Sequence, residues 1–127
     1  GYARNADLPT KRQRAVKAAV GLADSIPDAA LVVFTRSGAT AHQTALLRPR
    51  APIYAFTPDA QVCRGLSLSR GVRPFVIPFQ EKPRETIAGA ITTLRSRRDV
   101  PAGTPLVIFS DTFQVEEAVD SILLEHA

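Results

Sequence analysis

Hydrophobic positions along the chain keep two alternating rhythms. From Thr10 to Ala23, the apolar residues Ala15, Val16, Ala19, Val20 and Ala23 recur at helical spacing, with Lys11, Arg12, Arg14 and Lys17 mostly on the other face; this predicts an amphipathic helix. Pro27 and Asp28 break it. Ala29 to Phe34 (AALVVF) is instead a continuous, β-branched-rich run, the pattern of a strand buried on both faces. A second helix is predicted from Ala39 to about Leu47, stopped by Pro49, because the residue before proline avoids helical dihedrals. Ala51 to Thr57 (APIYAFT) predicts a second strand, and Asp59 or Thr57 caps a helix over Ala60 to Ser69 that ends at Gly71. Arg73 to Phe79 (RPFVIPF) predicts a third strand, which Pro74 and Pro78 assign to an edge of the sheet. Pro83 to Arg97 carries Ile87, Ala90, Ile91 and Leu94 at helical spacing, and Thr104 to Ser110 (TPLVIFS) predicts a fourth strand. The tail from Val115 to Ala127 fits either a helix or a strand, and local propensity favours the helix. Strands alternating with helices imply right-handed crossovers and a mostly parallel sheet covered on both faces.

Composition limits what this pattern can be. The chain has 127 residues, 45% hydrophobic and 22% charged, which fits one ordinary globular domain, and residues 1–9 look like an exposed lead-in. Cys63 is the single cysteine, so an internal disulfide and a thiolate metal cluster are both excluded, and a reducing cytoplasm is expected. No apolar run approaches the roughly 18 residues of a membrane span, and the first ten residues lack the apolar core of a secretory signal. Residues 1–70 carry ten Lys and Arg against four Asp and Glu, whereas residues 71–127 carry six against eight, so the positive field belongs to the first half. With two Tyr, six Phe and no Trp, that field lacks the interleaved aromatics of a nucleic-acid surface, and no nucleic-acid partner is expected.

Candidate chemistry concentrates in one turn. Thr35 to Thr40 reads TRSGAT, placing the hydroxyls of Thr35, Ser37 and Thr40 around Gly38 where a buried strand passes into a helix. The first amides of such a helix point outward, its dipole adds positive potential, Gly38 lets an anion approach the backbone and Arg36 adds charge. The same residues also suit a purely structural turn, with Ser37 capping the helix through the Thr40 N–H and Gly38 permitting the bend. Other candidates are weaker. His42 is expected to be solvent-exposed and Cys63 a small buried hydrophobe. Arg95, Arg97 and Arg98 read as a solvated helix end, and Asp111, Glu116, Glu117, Asp120 and Glu125 as a solvated acidic rim without calcium-loop spacing. Neither a metal nor a cofactor is expected.

The stretch VVFTRSGATA, followed by LLRPRAPIYAFTPDAQVCRGLSLSRGVRPFVI, resembles the C-terminal domain of pyruvate kinases. Thr35 to Thr40, Arg48 to Ile53, Thr57, Arg64 and Gly71-Val72 carry the resemblance, which extends from about Arg12 to Ser110. It implies a three-layer α/β/α domain with a five-stranded mixed sheet in the order 3-2-1-4-5, the last strand antiparallel, and so assigns Val119 to His126 to a strand against local propensity. It further implies an allosteric phosphate or sugar-phosphate effector at Thr35, Arg36, Ser37, Gly38 and Thr40. The family's second phosphate clamp has an acidic counterpart here, Asp111 to Glu117, so a single-phosphate site is implied. Family chemistry resides in a (β/α)8 barrel of about 250 residues, which this length cannot contain. The expectation is therefore a non-catalytic regulatory or ligand-binding domain, cut from a longer kinase with a barrel or free-standing. Two rivals stay open: a module that only dimerises through its C-terminal edge strand, and a small phosphoryl-transfer enzyme.

Overall fold

The computed structural model describes residues 10–110 and 121–127. The expected lead-in and the acidic stretch from 111 to 117 lie outside the described residues. Helix α1 (Lys11–Ser25) opens on a reciprocal cap, in which Thr10 Oγ1 accepts from the Gln13 N–H at 3.1 Å and Gln13 Oε1 accepts from the Thr10 N–H at 2.7 Å. It buries Val16, Ala19, Val20 and Ala23, four of the five positions that the helical spacing selects. The chain continues through β1 (Ala30–Phe34), α2 (Ala39–Leu46), β2 (Ile53–Thr57), α3 (Ala60–Leu66), β3 (Val72–Val76), α4 (Pro83–Ser96), β4 (Pro105–Ser110) and β5 (Ser121–His126).

The five strands form one sheet in the order β3-β2-β1-β4-β5. Strand β1 lies between β2 and β4, parallel to both, with Leu31 beside Ile53 and Val107. Every residue of β1 is buried because each faces one of two apolar layers. Leu31 and Val33 pack with Val16 of α1, Ala41 of α2 and Leu66 of α3; Ala30, Val32 and Phe34 pack with Ala90 and Leu94 of α4. The result is the expected three-layer α/β/α arrangement.

The tail departs from its local propensity. Ser121–His126 pairs antiparallel with β4, Pro105 opposite His126 and Ser110 opposite Ser121. A helix there would leave one edge of a buried strand without partners for its N–H and C=O groups, a cost that weak propensity does not outweigh. Val119 and Asp120, also assigned to this strand, lie outside the described residues. Strand β3 occupies the sheet edge, as its prolines require, but it closes at Val76, and Pro78 lies beyond it. Asp59 rather than Thr57 caps α3, accepting from the N–H groups of Gln61 at 2.8 Å and Val62 at 3.4 Å. That helix ends at Leu66, three residues short of the expected Ser69.

Candidate functional site

The TRSGAT turn leaves the carboxyl end of β1, the central strand, where β2 and β4 diverge to either side. Ligands of open α/β sheets bind outside this edge, at the point where strand order reverses. Thr35 extends the ladder by one bond, its N–H donating to Phe56 O at 3.0 Å. Its side chain is fully buried, and Oγ1 accepts from the Gly38 N–H at 2.8 Å, so Thr35 shapes the turn from inside. Ser37 is exposed, and its Oγ accepts from the Ala39 N–H at 3.2 Å, one residue earlier than the Thr40 N–H of the capping alternative. Thr40 is buried. The five site residues thus lie together, divided between an inner pair, Thr35 and Thr40, and an outer pair, Arg36 and Ser37, about Gly38.

Gly38 is the N-cap of α2 at φ 93° and ψ −10°, a left-handed conformation that L side chains resist, and the first helical bond runs from His42 N to Gly38 O at 2.9 Å. A Cβ built there would meet Val62 Cγ1 at 3.4 Å and Leu66 Cδ2 at 3.6 Å. The glycine therefore permits the bend and the close approach of α3, rather than clearing space for an anion outside the turn. The dipole of α2 makes this edge positive.

Arg36 is exposed, and its Cζ lies 5.1 Å from the centroid of the Phe79 ring. Among the described residues no carboxylate pairs with it. Phe79, in the connection from β3 to α4, was missed as a site residue by sequence reasoning. Nothing local links positions 36 and 79.

The remaining candidates resolve as follows. His42 is exposed, as expected, and Cys63 is half-buried rather than core. Arg95 and Arg98 are solvated, but Arg97 is not merely a solvated end: its Cζ sits 4.9 Å over the Phe75 ring and its Nε lies 3.8 Å from Asp99 Oδ2. Asp99 Oδ1 also pairs with Arg73 at 3.1 Å, and the Tyr54 hydroxyl donates to Asp99 O at 3.1 Å. Burial pushes the Tyr54 phenol above its usual pKa, while Arg73 opposes and Asp99 reinforces the shift. This cluster borders a pocket of about 830 Å³ at the opposite, amino edge of the sheet, beside Asp24, Arg50 and Thr104. In the pocket, Asp24 Oδ1 already accepts from the Arg50 and Ala51 N–H groups at 3.0 Å each, and Asp99 is ion-paired. Among the described residues, no group of three His, Cys, Asp or Glu could hold a metal.

The family model described as "Pyruvate kinase, alpha/beta domain" matches residues 13–123. Pyruvate kinase 2 of Synechocystis sp. is 30% identical over 118 residues, which are 91% of this chain and 20% of that protein. Plastidial pyruvate kinase 2 of Arabidopsis thaliana is 38% identical over 77 residues, 61% of this chain and 13% of that protein. The solved structure of Cryptosporidium parvum pyruvate kinase in complex with ADP superposes with a TM-score of 0.78 at 20% identity, covering 99% of this chain and 26% of that one, a likeness of fold. The chain spans between about an eighth and a fifth of the length of the curated relatives it matches. A family match across most of the chain, with the strand order and antiparallel closing strand already described, means that this chain belongs to the pyruvate kinase alpha/beta-domain family.

Proposed function

We propose that this chain is a non-catalytic regulatory domain that binds phosphate, or the phosphoryl group of a sugar phosphate, at Thr35, Arg36, Ser37, Gly38 and Thr40. The observation that carries the proposal is Gly38 at φ 93° opening α2 at the carboxyl edge, with an exposed Arg36 on the same turn. Thr35 holds the turn, Arg36 supplies charge, and the Ser37 hydroxyl, whose oxygen accepts from the Ala39 N–H, donates its hydrogen to a phosphoryl oxygen. The helix terminus contributes about 0.3 to 1 kcal/mol and a charged hydrogen bond about 1.5 to 3. Their sum, about 2 to 4 kcal/mol, suits a weak site with dissociation constants of about a millimolar or weaker. Phosphoryl transfer from phosphoenolpyruvate to ADP needs metal and transition-state electrostatics that a barrel would supply, so this chain alone is expected to form no pyruvate.

Calorimetric titration with inorganic phosphate, a hexose monophosphate and fructose 1,6-bisphosphate tests the proposal. Similar, weak binding of all three supports it, and no binding of any refutes it. Micromolar binding of the bisphosphate alone would refute the single-phosphate assignment. A second reading, a dimerising module with a structural turn, is favoured by the Thr35–Gly38 and Ser37–Ala39 bonds, which already engage two turn amides, and by the edge position of β5. Sedimentation showing a dimer that no anion affects would select it. Compartment does not follow from family membership: among the described residues no helix is long and apolar enough to cross a membrane, and a matched relative from Nicotiana tabacum is named as chloroplastic.

A further inference from the structure

We propose that Phe79 is a positioning residue of the anion site, its ring holding the Arg36 guanidinium at the carboxyl edge without consuming its hydrogen-bond donors. The inference rests on the assignment of the turn as an anion site. Arg36 is an exposed side chain with several rotatable bonds, which in water would sample many rotamers. Instead its Cζ lies 5.1 Å from the Phe79 centroid. That ring is itself fixed: it meets Phe34 edge-on at 5.8 Å, Phe34 stacks on Phe56 at 5.6 Å, and Phe56 stacks on Phe75 at 5.1 Å. The aromatic row crosses β1, β2 and β3 on the α4 face, and Arg97 covers its far end at Phe75.

A carboxylate partner would hold Arg36 equally well but would neutralise it and occupy the N–H groups that a phosphate needs. A ring face attracts the cation and leaves the rim donors available, and a guanidinium rim matches two phosphate oxygens at once. Phe79 thus reduces the ordering cost of anion binding without competing for the charge.

The experiment compares Phe79→Leu, Phe79→Tyr, Arg36→Gln and the Phe79→Leu/Arg36→Gln double variant by titration with inorganic phosphate. The Arg36 side-chain NMR signals serve as a second readout. Leucine keeps apolar volume against Phe34 and removes the ring. The expected result is a roughly two- to fivefold weaker phosphate affinity for Phe79→Leu, the loss of one exposed cation–ring contact, and full affinity for Phe79→Tyr. Phe79→Leu should add no further loss on Arg36→Gln, and upfield ring-current shifts of the Arg36 side chain should vanish in Phe79→Leu. Unchanged affinity of Phe79→Leu, or a loss additive with Arg36→Gln, overturns the inference while leaving the anion site standing. Absence of phosphate binding by the parent protein overturns both.

Discussion

Substituting Gly38 tests the turn at its most constrained point. The residue sits at φ 93°, where an L side chain costs about 1 to 2 kcal/mol. Alanine adds little beyond that, because its Cβ would find Val62 Cγ1 at 3.4 Å and Leu66 Cδ2 at 3.6 Å, both ordinary contact distances. Gly38→Ala should therefore destabilise the domain by about 1 to 2 kcal/mol, raising the unfolded fraction roughly 5- to 30-fold. Valine adds γ-methyls to a Cβ already in contact with α3, and overpacking costs about 1 to 3 kcal/mol more. Asparagine tolerates left-handed dihedrals and should cost less than alanine. Urea unfolding followed by circular dichroism gives the ranking Gly, Asn, Ala, Val in falling stability, with an unchanged denaturant slope if only the native state is affected. Because the added side chain points at Val62 and Leu66, folded Gly38→Ala should keep phosphate affinity within a few-fold of the parent. An alanine variant as stable as the parent would show that the backbone at Gly38 is not left-handed in solution, and a valine variant no worse than alanine would show that α3 does not approach it.

Other perturbations separate the remaining interactions. Asp24→Ala removes the single oxygen, Oδ1, that accepts from both the Arg50 and Ala51 N–H groups, and should cost about 2 kcal/mol in urea melts; Asp24→Asn keeps a carbonyl acceptor there and should cost no more than about half as much. Arg73→Ala should destabilise more than Asp99→Ala. The first leaves a carboxylate side chain only 7% exposed, whose Oδ2 has no hydrogen bond, with only the more distant Arg97 Nε at 3.8 Å as a cation partner, whereas the second leaves Arg73 and Arg97, each 62% exposed, to solvent; the reverse order in thermal melts would contradict the pairing. Tyr54 has a phenol pKa raised by burial, so folding favours its protonated form. That contribution is complete below the unfolded value near 10 and is lost as pH rises through the folded value. Stability should therefore decline above about pH 10, and Tyr54→Phe should flatten the decline while costing about 1 kcal/mol at neutral pH for the lost bond to Asp99 O.

Contacts made within a few residues of one another were legible in the sequence, and contacts closed by the sheet were not. The run AALVVF announces a strand buried on both faces because each of its residues must be apolar, and β1 is buried throughout. Helical spacing likewise selects α1, which buries four of the five apolar positions so marked. Ser121–His126 shows the limit of that logic, since the free edge of β4, rather than anything in SILLEH, selects a strand there. At the candidate site, TRSGAT was legible as a strand-to-helix turn, but which hydroxyl faces inward was not, since Thr35 and Ser37 are chemically alike and only the direction of the chain leaving β1 turns one into the core and the other outward. Arg36 gave no sign of its partner. Phe79 lies beyond two further strands and two helices, and the two meet because β3, β2 and β1 are adjacent and their carboxyl ends share one edge. The same adjacency aligns Phe75, Phe56 and Phe34 into a row, so the position of Arg36 over Phe79 depends on sheet order, which is a property of the fold and of no segment within it.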